Sequence, residues 1–257
     1  MEASERLEKY FIGLRKETDG CYSIATDARK KGFDPVDHVE ILLAENMAER
    51  VVGLISTVAP EIGKKGEEIV KRIDELEKEY GTQNWRVAMK LAEEVARENF
   101  CKFNSKKEAI EVGLRIGLAY ITVGVVSSPL EGFVRLEFKR RKDNGKDYFC
   151  IYFSGPIRSA GTTATCVFVA LCDYVRKKMG YSEYDPTDME IKRFVMEIRD
   201  FHERVTNLQY YPSEEEIDFM MRHLPVQIDG DPSEKIEVSN YKDLDRMETN
   251  TLRNGVC

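Results

Sequence analysis

GFVRLEFKRRKDNGKDYFCIYF, residues 132–153, decides the fold class. The first half alternates apolar and charged residues, the second is a run of aromatic and β-branched ones, and DNG lies between them. That order is a β-hairpin signal, with strands near Phe133–Lys139 and Tyr148–Phe153. Upstream, the period changes from two to that of a helix. Leu7, Tyr10, Phe11, Leu14, Tyr22, Ile24 and Ala25 predict a long amphipathic helix over Ser4–Lys30, open to interruption at Gly20 and stopped by Gly32 and Pro35. Further helices are predicted over Glu40–Ser56, Glu67–Tyr80 and Trp85–Glu98. A fifth is capped by Asn104 or by Ser105 with Glu108, and runs through Ile110, Leu114, Leu118 and Ile121. Downstream, helices are predicted over Thr163–Met179, Asp188–Leu208 and Ser213–His223, the last opened by Pro212, Ser213 and Glu216 in a capping-box arrangement. The tail, Val226–Cys257, reads as short extended pieces with a turn at GDP, 230–232. The fold class is therefore α+β and predominantly helical: a helical region over 1–128, then the hairpin, a loop, helices and an extended tail over 129–257.

A chain of 257 residues can bury a substantial core, and its composition is that of a soluble globular protein. Its formal net charge of -7 argues against whole-surface attraction to nucleic acid or anionic membranes, so any such contact needs a local patch. The six cysteines form no CxxC pair and there are only three histidines, which disfavours a zinc site of ordinary spacing and suits reduced thiols in a cytoplasmic protein. No signal-peptide pattern opens the chain. The longest apolar stretch, 116–129, is too short to cross a bilayer, so no membrane partner is expected. The mixed charges of 64–79 read as a solvated helical face.

Two segments are candidates for phosphate contact. In SGPIRSAGTTAT, 154–165, Gly155 and Gly161 permit close backbone approach, Ser159, Thr162 and Thr163 offer hydroxyls, Arg158 supplies charge, and a following helix would add free amides. The segment lacks the lysine and spacing of a Walker loop and the GxGxxG pattern, and a structural strand-to-helix turn remains open beside phosphate or nucleic-acid contact. On the hairpin, Arg135, Lys139, Arg140, Arg141, Lys142 and Lys146 form the densest local basic run. They suit a phosphate backbone, or simply a guarded sheet edge. Between Asp185 and His202 the carboxylates Asp185, Asp188, Glu190, Glu197 and Asp200 are interleaved with Arg193 and Arg199, with Arg204 just beyond. That reads as a salt-bridged helix surface in preference to a metal site. His38, His202 and His223 have no motif partner, and no serine or cysteine sits in a nucleophile setting, so no catalytic residue is assigned. The closing stretch EVSNYKDLDRMETNTLRNGVC gathers Asn240, Asp243, Arg246, Glu248, Asn250 and Arg253, residues suited to a buried or interfacial hydrogen-bond network. It stops at Cys257 without a capping element, as a piece of a longer protein would.

Several segments together resemble one family: YFIGLRKETDGCYSIATDARKKGFDP (10–35), ENMAERVVGL (45–54), VSSPLEG (126–132), YFSGPIRSAGTTAT (152–165), DYVRKKMGYSEYDPT (173–187), LQYYPSEEEI (208–217), LPVQIDGDPSE (224–234) and EVSNYKDLDRMETNTLRNG (237–255). In this order they resemble the amino-terminal region of the large subunit of the archaeal family D DNA polymerase. Two departures stand out: the family usually has a second glycine at Thr162 and reads LRGG where this chain has Leu252, Arg253, Asn254 and Gly255. Either would strain a turn that needs positive φ.

The resemblance implies one amino-terminal domain of a DNA-directed DNA polymerase subunit several times longer. A separate small subunit would carry the 3′–5′ proofreading exonuclease, and primer–template DNA would be the substrate. It also implies that the Mg2+ of nucleotidyl transfer and the Zn2+ sites lie beyond residue 257, so that this segment binds no cofactor and is inactive alone. Three roles follow as expectations: support of the core and DNA path, with Arg158, Ser159, Gly161, Thr162, Thr163, Lys139, Arg140 and Arg141 as DNA or phosphate contacts; a pure docking module without DNA contact; or an independent nucleotide-binding enzyme on the 155–165 loop.

Overall fold

In the computed structural model of the chain, residues 5–33 and 44–256 are described, the side chains of 158–163 excepted. The hairpin is present where the alternation puts it. Strand β1 (Phe133–Arg140) pairs antiparallel with β2 (Asp147–Phe153), and the turn between them closes through the Arg141 N–H donating to Lys146 O with Gly145 at φ 69°. The tail adds a third strand that the periodicity did not announce: β3 (Gln227–Gly230) lies parallel to β2, with register Cys150 to Gln227 and Phe153 to Gly230. β2 is thus the central strand and is buried on both faces, which is why YFCIYF does not alternate. Phe149, Ile151 and Phe153 point into an apolar core; Tyr148, Cys150 and Tyr152 face the tail.

The helical part precedes the sheet. Helix α1 (Glu5–Lys30) is continuous through Gly20 and buries no residue. Helix α2 (Met47–Ser56) begins later than the predicted Glu40, because the Asn46 side chain accepts from the Glu49 N–H and caps it; the first residues of that predicted helix, 40–43, and the stop at Pro35 lie outside the described residues. A single turn, α3 (Pro60–Gly63), leads to α4 (Gly66–Tyr80), α5 (Trp85–Ala96) and α6 (Lys106–Ile121), the last capped by Ser105. Ala48, Val51, Ile55, Ile69, Ile73, Leu91 and Ile116 form one core. The other faces of α5 and α6 supply Ala92, Leu114 and Leu118 to a second core, with Phe133, Phe149, Ile151, Phe153, Phe168 and Leu171. α5 and α6 are shared by both, so the helical layer and the sheet pack as one body.

After β2 the chain makes a 3-10 turn (Gly155–Ala160) and enters α7 (Gly161–Met179), then α8 (Asp188–Arg204) and α9 (Glu214–Arg222) before returning as β3. Both α8 and α9 open with full capping boxes, Thr187 with Glu190 and Ser213 with Glu216. β4 (Pro232–Glu237) and β5 (Thr251–Arg253) close the tail as a small antiparallel pair.

Candidate functional site

The SGPIRSAGTTAT loop is positioned by an unusual turn just before the hairpin. Ser128–Gly132 forms one wide π-helical turn, and its buried Gly132 sits so close to the backbone of Ile157 that a Cβ there would lie 2.8 Å from the Ile157 nitrogen. Three hydrogen bonds clasp the two segments: Ser154 N–H to Gly132 O at 3.0 Å, Ser128 Oγ to Pro156 O at 3.0 Å, and Ser154 Oγ to Glu131 O at 2.5 Å. Two arginines fix the chain around it, Arg115 reaching the turn itself and Arg50 the end of α6 and the link that follows. Arg115 donates to the carbonyls of Pro129, Leu130, Phe133 and Val134, and Arg50 to those of Ala119, Thr122 and Val125, at 2.6–3.1 Å. Burial pushes both guanidinium groups below the ordinary arginine value, with Glu111 offsetting part of the effect at Arg115. Gly155 is exposed, and the first turn of α7 starts at Gly161. Thr162 falls in that first helical turn, where the backbone is right-handed and no glycine is required. The side chains of Arg158, Ser159, Thr162 and Thr163, and the surroundings of Gly161, lie outside the described residues.

The basic run of the hairpin is largely committed within the chain. Lys139, with only 16 % of its side chain exposed, donates to Arg246 O at 2.7 Å and faces Asp229 at 3.4 Å. Arg141 grips Asp143 through Nε at 2.8 Å and Nη2 at 2.6 Å and also donates to Glu183 O; Lys142 faces Asp245 at 3.3 Å. Arg135 lies over the Tyr152 ring and pairs with Glu248 at 3.0 Å. Arg140 and Lys146 are the open ones: 81 % of the Arg140 side chain is exposed, with Asp147 at 3.5 Å, and Lys146 is exposed in the turn.

The polar tail residues converge on α8 and β3. Arg253 is fully buried; its N–H and Nε meet Glu197 Oε1 at 2.8 and 3.0 Å, Nη2 meets Oε2 at 2.7 Å, and Nη1 meets Asp229 at 3.1 Å. Arg193, also fully buried, approaches Glu197 at 3.3 Å and donates to the carbonyls of Tyr241, Thr249 and Thr251. Burial opposes both charges. Arg253, facing two carboxylates, ends above an ordinary arginine, while Arg193, whose other partners are carbonyls, ends below it. Arg246 forks onto Glu190 at 2.8 and 2.6 Å and also binds Asp185. Asp200 accepts from the Ser239 N–H and hydroxyl at 2.6 Å each, and Asp243 exchanges hydrogen bonds with Asn250 at 2.9 and 2.8 Å. Glu248 accepts from the Tyr152 hydroxyl at 2.6 Å, and the Asn240 side chain folds back onto the Tyr241 N–H.

The expected salt-bridged surface on α8 is therefore corrected: Glu190, Arg193, Glu197 and Asp200 lie in the interior, and their partners come from the tail as well as from their own helix. Glu197 and Arg253 stand 56 positions apart, and no local pattern connects either of them with Asp229. The available signal was the spacing of Glu190, Arg193, Glu197 and Asp200, which puts the four on one helical face beside Phe194 and Phe201. Asn254 has an ordinary φ, so its side chain is tolerated where the family has glycine, and its carbonyl lies only 2.1 Å from where a Cβ on Gly230 would stand. Gly255 is the constrained position, at φ 84° against the Phe153 ring.

Among the described residues no three His, Cys, Asp or Glu side chains could hold a metal ion, and no helix is long and apolar enough to cross a membrane. The described cysteines Cys21, Cys101, Cys150, Cys166 and Cys172 are free thiols.

Residues 9–257 match the family described as DNA polymerase II large subunit DP2, N-terminal. The chain is similar to proteins named DNA polymerase II large subunit from Nanoarchaeum equitans, 49% identical over 248 residues, 96% of this chain and 20% of that one. It is likewise 39% identical to that of Methanococcus maripaludis strain S2 over 99% of this chain and 21% of the relative, and 40% identical to that of Pyrococcus furiosus over 99% and 19%. The chain spans about a fifth of the length of these relatives.

Proposed function

The chain belongs to the DNA polymerase II large subunit family, in its N-terminal region, and from that premise we propose that it is a non-catalytic module of a DNA-directed DNA polymerase. In this reading it braces the rest of the large subunit and borders the path of primer–template DNA. The observation that carries the reading is the interior ion network. Arg193, Glu197, Asp229 and Arg253 are spent on fixing the chain to itself, which suits a rigid support. Nucleotidyl transfer with Mg2+, and the Zn2+ sites, then belong to the rest of the large subunit, the 3′–5′ exonuclease to a small partner subunit, and the assembly to the cytoplasm.

For DNA contact the reading relies on Arg140, exposed at the end of β1, together with Lys139 and Arg141 that frame it. It also relies on Arg158, Ser159, Gly161, Thr162 and Thr163 where the 3-10 turn meets the positive end of α7. Of the tail residues, Asn240, Asp243, Glu248 and Asn250 lie on the face that would meet the rest of the subunit, and the buried Arg246 and Arg253 hold that face in place.

Primer extension with Mg2+ and deoxynucleotides tests the first half: the assembled enzyme extends and the purified chain does not. Extension by the chain alone would overturn the reading. In the assembled enzyme, Arg140→Glu with Arg158→Glu should weaken primer–template binding at least tenfold at low salt. The dependence of log affinity on log salt should also become shallower by about 0.9 for each phosphate no longer neutralised. Unchanged affinity would leave the module as a docking element without DNA contact.

A further inference from the structure

Beside α8 and α9, an open apolar groove of about 540 Å³ is lined by Ile198, Leu208, Tyr210, Phe219, Met220 and Val256. It is not a gap in a mobile loop. The His202 ring stacks on Tyr211 with centroids 4.5 Å apart, and its Nδ1 accepts from the Leu208 N–H at 3.0 Å, which fixes the 205–212 segment carrying Tyr210. Phe219 rests on His223 with centroids 4.4 Å apart. Beneath the groove lies a small core of Phe194, Ile217 and Met247, against which Ile198 and Val256 pack. On the open side Tyr210 and Phe219 are 71% and 65% exposed, an expensive display of aromatic surface for a face left in water.

The rim is acidic. The exposed residues of α9 carry Glu214, Glu215 and Glu216, with Asp218 next to them; Arg199 of α8 pairs with Glu214 and Arg222 with Asp218, so four carboxylates stand against two arginines. Exposed aromatics beside basic residues would suit the stacking of unpaired bases, but carboxylates at this density repel a phosphate backbone. The same rim attracts lysine and arginine. An amphipathic helix with an apolar stripe at i, i+3 or i+4 and i+7 and basic residues beside it complements both the floor and the edge.

We propose that the groove seats such a helix, supplied by the part of the large subunit that the relatives carry outside the fifth matched by this chain. Val256 forms one wall, so the groove lies beside the tail that the ion network holds in place. The inference rests on the family reading above and specifies one of its docking faces.

The test places p-benzoylphenylalanine at position 219 in the assembled large subunit and maps the photo-adduct by mass spectrometry. The expected adduct is to another stretch of the large subunit with the apolar and basic pattern. Its yield should fall at least fivefold when Glu214→Lys and Glu215→Lys are introduced together. Adducts to primer–template DNA, to the small subunit or to a second, isotope-labelled copy of this chain would overturn the proposal, as would no adduct or a yield indifferent to the charge reversal. Positions 214, 215 and 219 are exposed, so far-UV circular dichroism and a cooperative thermal transition should be retained, with only a small drop in midpoint from the lost Arg199–Glu214 pair and the reversed charge at the start of α9; this separates loss of docking from loss of fold. Primer extension by the same preparations reads the polymerase role independently: activity retained without an adduct removes the groove and leaves that role standing.

Discussion

Arg253 has no exposed surface, and its guanidinium and backbone N–H are taken up by Glu197 and Asp229. Truncating it leaves two carboxylates buried with less counter-charge than the fold supplies, so Arg253→Ala should destabilise the chain by about 3–5 kcal/mol. Urea denaturation checks this; a loss below about 1 kcal/mol, the scale of an exposed pair, would mean that the network does not anchor the tail. Glu190 adds a pH dependence. Burial pushes its carboxyl up, but Arg246 and the Thr187 amide together outweigh burial and hold it below the usual carboxylate range. A carboxylate depressed in the folded state contributes stability above its unfolded value, near about 4.3, and loses it as pH falls through the folded value. Glu190→Gln should therefore lower the thermal midpoint at pH 7, and the gap to the parent should close below about pH 4. A gap constant with pH would exclude Glu190 from the acid response.

At the scale of elements, α1 and α6 are opposites. α6 is buried on most sides, and Gly113 and Gly117 let it approach α5 so closely that an added Cβ at 113 would stand 2.6 Å from Ala92 O. α1 has 26 residues and buries none. Its backbone hydrogen bonds are shielded by little tertiary packing, so amide exchange of α1 should run at least about a hundredfold faster than that of α6. Equal protection would show that α1 is packed more firmly than its exposure implies. Both elements were legible because an apolar stripe at helical spacing is a local signal. The Ser213 and Glu216 cap was legible in the same way, and Thr187 with Glu190 carries the same spacing. The π turn at Ser128–Gly132 was not legible, because its cause is distant: the Arg115 fork, the Ser128 hydroxyl on Pro156 O and the backbone of Ile157.

At the scale of the whole molecule, two large apolar cores share α5 and α6, two small ones lie between α8 and the tail, and a polar seam on the far face of the sheet binds the tail. The sequence by itself determined the elements whose cause is periodic or adjacent: the helices, the DNG hairpin and its basic run, and the string of segments that places the chain in its family. Tertiary structure alone decided that β3 pairs parallel with β2, that Glu190, Glu197 and Asp200 of α8 are interior, that Lys139 and Arg141 are largely spent while Arg140 stays open, and that an acid-rimmed groove faces outward. The physical reason is range. A helical or strand pattern is written in residues two to four positions apart, whereas Glu197 and Arg253 find each other only after three strands and two helices have brought them within 2.7 Å. A charge becomes structural or available according to that packing, and nothing in its neighbours along the chain records which.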